Sequence, residues 1–168
     1  KLRLGIINKD QALQGAALDG LLDSGLTPAE SLAPYNFYSG NFAYGAKNYA
    51  KAVQRLEAAK AAGSKDNGLD LMLMDSYIQQ GQVDQGLATA KAAIEASRAA
   101  GQRPSDELYV RPIRALQAAK RNDEVNDFML MRVRDYGQPE VWRQALFIQL
   151  QQAGDNKEIA LDTLRLMR

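Results

Sequence analysis

The sequence of 168 residues contains neither cysteine nor histidine. Without these side chains it can form no disulfide, no thiolate nucleophile, no Cys/His zinc site and no imidazole acid-base catalyst. Much of enzyme chemistry is thereby excluded, and we expect a protein that is not an enzyme and that holds no metal and no cofactor. A chain without cysteine also suits an oxidising compartment, which slightly favours a periplasmic over a cytoplasmic location.

The chain also lacks an excess of charge and any long apolar run. Lysine and arginine total 21 against 20 for aspartate and glutamate, so no global field attracts nucleic acid or an anionic membrane. The apolar runs are far too short to span a bilayer, and the N-terminus has no signal-peptide layout. We therefore expect no nucleic acid partner and no membrane insertion, although the start at Lys1 leaves room for a removed targeting segment.

No strand pattern is present either, because apolar and polar residues never alternate over a sustained stretch bounded by turn signals. The 46% of hydrophobic residues is ample for a core. The apolar residues recur instead at helical spacing. The sequence therefore predicts an all-α fold.

One pattern occurs twice between residues 40 and 94. Residues 47–59 align without a gap with residues 81–93, 34 positions later, matching apolar to apolar and small to small. Each copy holds two helical patterns joined by a short polar turn. A helix pair that repeats at this period is typical of tetratricopeptide repeats, and the chain resembles that family.

Helix hairpins need small residues where the two helices approach most closely. We expect Gly40 to face Ala52 and Met74 to face Gly86, which keeps the summed volume of each pair nearly constant. The third repeat matches only with an insertion of about eight residues. That alignment places Leu116 opposite Phe128, so two large side chains would hold these helices further apart.

The resemblance implies a single domain of antiparallel helix hairpins stacked as a short right-handed superhelix, with both ends cut from a longer solenoid. Asn8 is the predicted cap of the leading helix, and a capping box at 27–30 is predicted to begin the next one. Pro34 is expected to kink or split that second helix. The last helix is predicted at 158–168. The predicted divisions are leading helices at 1–33, repeat 1 at 34–66, repeat 2 at 67–101, and the divergent repeats 3 and 4 at 102–137 and 138–168.

In the family, first-helix residues about one turn apart line a concave groove. Carried over to this sequence, the resemblance implies a groove in which Tyr44 supplies affinity and Asp75 a central charge. One branch of the family grips a terminal carboxylate, and Asn41 and Arg114 fall on those clamp positions, whereas apolar side chains occupy the others and argue against that specificity. The predicted partner-binding residues are Phe37, Leu71 and Ile113; Asn41, Asp75 and Gln117; Tyr44, Ile78 and Lys120; with Arg114 and Trp142 beside them.

The sequence accordingly favours a non-catalytic scaffold that binds a protein or peptide partner on its concave face. The alternative is a solenoid regulatory or assembly arm of a larger enzyme or a secretion or envelope machine. An RNA-binding helical repeat is less favoured, because it depends only on basic residues that neighbouring carboxylates dilute. Those basic residues are Arg111, Arg114, Lys120, Arg121, Arg132 and Arg134.

Overall fold

The structure, a computed structural model, describes residues 10–66, 68–153 and Glu158. The secondary structure of these residues is entirely helical, which confirms the predicted all-α fold. The predicted cap Asn8, the turn at 154–156 and all but Glu158 of the predicted helix 158–168 lie outside the described residues. The helices are α1 (Gln11–Asp23), α2 (Ala29–Gly45), α3 (Tyr49–Ala61), α4 (Leu69–Gln79), α5 (Val83–Ala99), α6 (Glu107–Ala118), α7 (Asn122–Tyr136) and α8 (Pro139–Ala153).

The chain forms two compact units, residues 1–89 and residues 90–168. The boundary lies inside α5, so this helix contributes its first turns to one unit and the remainder to the other. The single domain expected from the sequence stays a prediction. No helix in the described part of the chain has the length and apolarity needed to cross a membrane.

The turns inside the helix hairpins share one hydrogen-bond pattern, which fixes the repeat register. At each turn a backbone N–H bonds to the carbonyl five residues earlier at 2.9 Å, namely at Asn48, Gln82 and Arg121. The residue before each donor has positive φ, and this pairing is the Schellman C-cap. From Asn48 to Gln82 is 34 residues, whereas from Gln82 to Arg121 is 39.

The third hairpin is therefore displaced by five residues rather than by the expected eight. Most of the insertion is one extra turn of α5, which has 17 residues where α3 has 13. In the corrected register Ile113 and Val125 occupy the positions of Gly40 and Ala52 in the first hairpin. The pairing of Leu116 with Phe128 at those positions is wrong.

The close helix approaches inside the first unit occur at the two predicted glycines. A Cβ on Gly40 would lie 2.8 Å from Cγ of Leu56, so Leu56 and not Ala52 is its nearest neighbour. A Cβ on Gly86 would lie 2.7 Å from Cγ1 of Ile78 and 3.1 Å from the carbonyl oxygen of Met74. The close approach of Gly86 to Met74 is confirmed, and it involves the backbone as well as a side chain.

Buried charge ties α1 to the first hairpin. Asp19, 8% exposed, accepts hydrogen bonds from the Ser39 hydroxyl at 2.6 Å, from Lys51 and from Arg55 Nε at 3.2 Å. Burial alone would raise the pKa of Asp19, but the bonds from Lys51 and Ser39 and the nearby cationic charges outweigh it and hold the pKa below its ordinary value. The Asp19 carboxylate therefore links α1 to α2 and α3 at the beginning of the first unit.

The N-terminal caps of α1 and α2 differ from the predicted ones. Asp10 accepts the N–H of Leu13 at 2.9 Å, so Asp10 caps α1 where Asn8 was expected. The Thr27 hydroxyl donates to the carbonyl of Leu21 at 2.9 Å, and no side chain caps α2. The predicted capping box is wrong, although a helix does begin there, and α2 continues through Pro34 without splitting.

A fully buried apolar core and an ion-pair cluster around Asp135 hold the second unit together. Tyr109, Phe128 and Val125 are fully buried between α6 and α7. Arg98, on the extra turn of α5, donates to both carboxylate oxygens of Asp135 on α7, at 3.1 Å from Nε and 2.6 Å from Nη2. The Tyr109 hydroxyl donates to the same carboxylate, so three helices meet at Asp135.

Candidate partner-binding site

The corrected register changes which residues occupy equivalent positions on the first helices of the hairpins. Ile113 and Lys120, predicted as the third members of their rows, are wrong there: Ile113 takes the inward position of Gly40, and Lys120, with φ of 57°, is the left-handed residue of the turn. Gln117 moves to a different row. The corrected rows are Phe37, Leu71 and Val110; Asn41, Asp75 and Arg114; Tyr44, Ile78 and Gln117.

Inside the first unit, two predicted groove residues take part in the packing of the hairpins. Phe37 is 8% exposed and is part of the core cluster with Leu56 and Leu73. Ile78 is half-buried, with its Cγ1 against the position of Gly86. Phe37 is therefore a core residue and does not line an open groove, whereas the groove position of Ile78 stays a prediction.

Tyr44 and Asp75 do lie together, but they bind each other. The Tyr44 hydroxyl donates to Oδ2 of Asp75 at 2.6 Å, and the Tyr44 ring packs edge-on against Tyr49 with the centroids 6.1 Å apart. Both members of the hydrogen bond are half-buried, as is Leu71, whereas Asn41 is exposed. A partner reaching Asp75 would have to compete with this internal bond.

In the second unit the equivalent positions open onto a pocket formed by α6, α7 and α8. Its volume is about 100 Å³. Buried apolar side chains form the floor, and exposed polar side chains stand at the rim. We call it the Arg114 pocket; its lining residues are Val110, Ile113, Arg114 and Gln117 from α6, Met129 and Arg132 from α7, and Val141, Gln144, Ala145 and Ile148 from α8.

The two arginines of the pocket differ in their partners. Arg132 donates to both oxygens of Asp106, at 2.6 Å and 2.8 Å, and its Nη1 donates to Gln144 at 2.6 Å. Arg114 is exposed and has no hydrogen bond or ion pair with any residue that the structure describes. The charge of Arg132 is thus compensated within the unit, whereas none of the described residues compensates the charge of Arg114.

The structure brings together only part of the predicted site. Ile113, Arg114 and Gln117 line one pocket, whereas the half-buried Trp142 and the exposed Lys120 are not among its lining residues. The α7 and α8 contributors were missed. Their signal was weak, since α8 follows a divergent hairpin and Met129 has the appearance of ordinary core.

Comparisons with known proteins agree with this architecture. No family model and no curated protein matches the chain. Among solved structures, it is similar to YrrB, a TPR protein with an unusual peptide-binding site, at 19% identity and a TM-score of 0.63, over 98% of this chain and 79% of that one. It is also similar to MamA (MSR-1, C2), at 17% identity and a TM-score of 0.61, over 96% of this chain and 87% of that one. The chain therefore has the fold of tetratricopeptide-repeat proteins.

Proposed function

We propose that this chain, which has the tetratricopeptide fold, is a non-catalytic scaffold that binds a segment of a protein partner at the first helices of its hairpins. The observation that carries the proposal is the Arg114 pocket. Its floor is apolar and its rim is polar, a composition suited to anchoring one side chain and orienting the backbone beside it. One of its three helices, α6, is the first helix of a hairpin, the element that the family resemblance assigns to partner binding.

The two carboxylates with shifted pKa values support a structural rather than a catalytic role for these charged residues. Both Asp19 and Asp135 have a lowered pKa, because cationic and hydroxyl donors from neighbouring helices surround them. A general acid or base works best with a pKa near the operating pH, and these two groups are shifted away from it. The hydrogen bonds of these two carboxylates join neighbouring helices, which is a structural role.

The ion pairs of the third hairpin support protein over RNA as the partner. Arg111 pairs with Glu107 at 2.9 Å, and Arg121 pairs with Glu124 at 2.5 Å. With Arg132 held by Asp106, three of the basic residues that suggested nucleic-acid binding already have carboxylate partners. RNA binding would have to displace those carboxylates before it gained counterion release.

Peptide selection on the purified 168-residue chain tests the proposal. A random library of ten-residue peptides with capped ends is panned, and recovered peptides are titrated by fluorescence anisotropy. Ala145→Phe, which fills the pocket from α8, should weaken their binding by about tenfold or more, whereas Ala92→Phe, at an exposed site on α5, should change it by less than about twofold. Failure to recover any saturable binder, or equal binding by both variants, would overturn the proposed function.

A further inference from the structure

The Arg114 pocket has features that specify the chemistry of what enters it. Ile113, Met129, Val141 and Ile148 are buried and form an apolar floor. A volume of about 100 Å³ lies below the roughly 150 Å³ of an engineered cavity that accepts benzene. The space suits a branched aliphatic side chain and is too small for an indole ring.

The polar residues at the rim of the pocket indicate which charge a ligand would carry beside its aliphatic side chain. Arg132 is committed to Asp106 and Gln144, so it offers no charge of its own to a ligand. Arg114 has no partner among the described residues and stands at the same mouth, next to the exposed amide of Gln117. An anionic group placed there would gain a charge-assisted hydrogen bond without breaking one to a described residue.

We propose that the Arg114 pocket is a specificity subsite for an aliphatic side chain flanked by an acidic residue within a partner segment. The inference rests on the proposed function and adds the chemical class of the segment. The carboxylate is assigned to an internal aspartate or glutamate, because Val110, which lines the pocket and falls on another position of the terminal-carboxylate clamp, is apolar. Leucine, isoleucine and valine fit the floor, whereas a lysine next to them would place its positive charge beside the Arg114 guanidinium.

The test uses the same purified chain with defined peptides. All are acetylated and amidated, which removes the terminal carboxylate, and they carry Leu-Glu, Leu-Lys, Trp-Glu or Ala-Glu at the centre of an otherwise constant ten-residue sequence. We expect the Leu-Glu peptide to bind at least about tenfold more tightly than each of the other three. A lost charged hydrogen bond costs at least that much, as does the loss of the three buried carbon atoms by which leucine exceeds alanine, and the indole ring of tryptophan is too large for the pocket.

Charge reversal at Arg114 separates this inference from the proposed function. Arg114→Glu should weaken Leu-Glu binding by at least about tenfold and reduce or reverse the preference over Leu-Lys. Lys120→Glu makes the same charge change at the exposed turn of the same hairpin and should alter binding by less than about twofold. Both positions are exposed, so both variants should fold.

The outcomes are distinguishable. Should Ala145→Phe abolish binding of selected peptides while Arg114→Glu leaves the acidic preference unchanged, the scaffold function stands and the subsite chemistry is overturned. Binding restricted to uncapped peptides would also overturn it, because the ligand would then be a chain terminus. If the chain instead self-associates and Ala145→Phe abolishes that association, the occupant is a second copy and the inference is wrong.

Discussion

Gly86 offers the sharpest test of the hairpin packing, because the effect of a single methyl group can be compared with a matched control. Gly86 is buried near the start of α5, while Gly20 is exposed inside α1 and a Cβ there would meet nothing within 4 Å. Both glycines are helical, so replacement by alanine gains a similar helix propensity, about 0.5–1 kcal/mol. The difference between the two variants therefore isolates the packing term.

The methyl group at Gly86 meets two atoms that cannot easily move. It would lie 2.7 Å from Cγ1 of Ile78, a β-branched side chain with little freedom at χ1, and 3.1 Å from the backbone oxygen of Met74. Overpacking of this kind costs about 1–3 kcal/mol. We expect Gly86→Ala to be less stable than Gly20→Ala by about 1–3 kcal/mol, with Gly20→Ala slightly more stable than the parent.

Urea denaturation followed by far-ultraviolet circular dichroism measures both variants. A second measurement locates the contact: in an Ile78→Ala background, Cγ1 is gone and the cost of Gly86→Ala should fall, giving a coupling energy between the two sites. Equal unfolding free energies for Gly86→Ala and Gly20→Ala would show that α4 and α5 do not approach as described. Strict additivity with Ile78→Ala would assign the cost to the Met74 carbonyl alone.

Two further predictions concern the buried carboxylates. Asp135→Ala leaves Arg98 and Tyr109 without their shared acceptor and should cost about 2–3 kcal/mol of unfolding free energy in urea, whereas Asp127→Ala, exposed on the same helix, should stay within about 0.5 kcal/mol. The pKa of Asp19 is lowered on folding from 3.8, so its contribution to stability is complete above that value and is lost as the pH falls through the lower folded pKa. Urea midpoints measured from about pH 6 to about pH 2 should therefore fall less steeply for Asp19→Asn than for the parent; identical slopes would contradict the assignment.

The repeat over the first two hairpins could be predicted from the sequence because small residues mark the positions where the two helices of each hairpin pack most closely. Ala52 and Gly86 are both buried, and the 34-residue step between them is reproduced by the hydrogen bonds of the two turns. Small side chains let the helices of these two hairpins approach closely, so the matching pattern of residue size indicates the same packing in both. The all-α fold followed from the same periodicity.

The register of the third hairpin could not be predicted in the same way. Its turn has the left-handed Lys120 where glycine is the usual signal, as the first hairpin has Lys47, but the step from the preceding turn is 39 residues and not 34, so no ungapped copy reveals it. An alignment guided by apolar residues alone moved the hairpin by three residues, nearly one helical turn. Because residues three apart share a helix face, Ile113 and Leu116 are both buried and satisfy the amphipathic pattern equally well.

The three-residue error in the register of the third hairpin changed which side chains were predicted at the site. It also changes which charged residue is expected to select a partner. Asp75 and Arg114 occupy equivalent positions, but Asp75 accepts the Tyr44 hydroxyl at 2.6 Å, while Arg114 has no partner among the described residues. A ligand that used Asp75 would meet a carboxylate that already accepts an internal hydrogen bond, so its charge is partly compensated within the protein. A ligand that used Arg114 would break no hydrogen bond to a residue that the structure describes. Charge selection is therefore expected at Arg114, although the sequence alone favoured the acidic position of the same row.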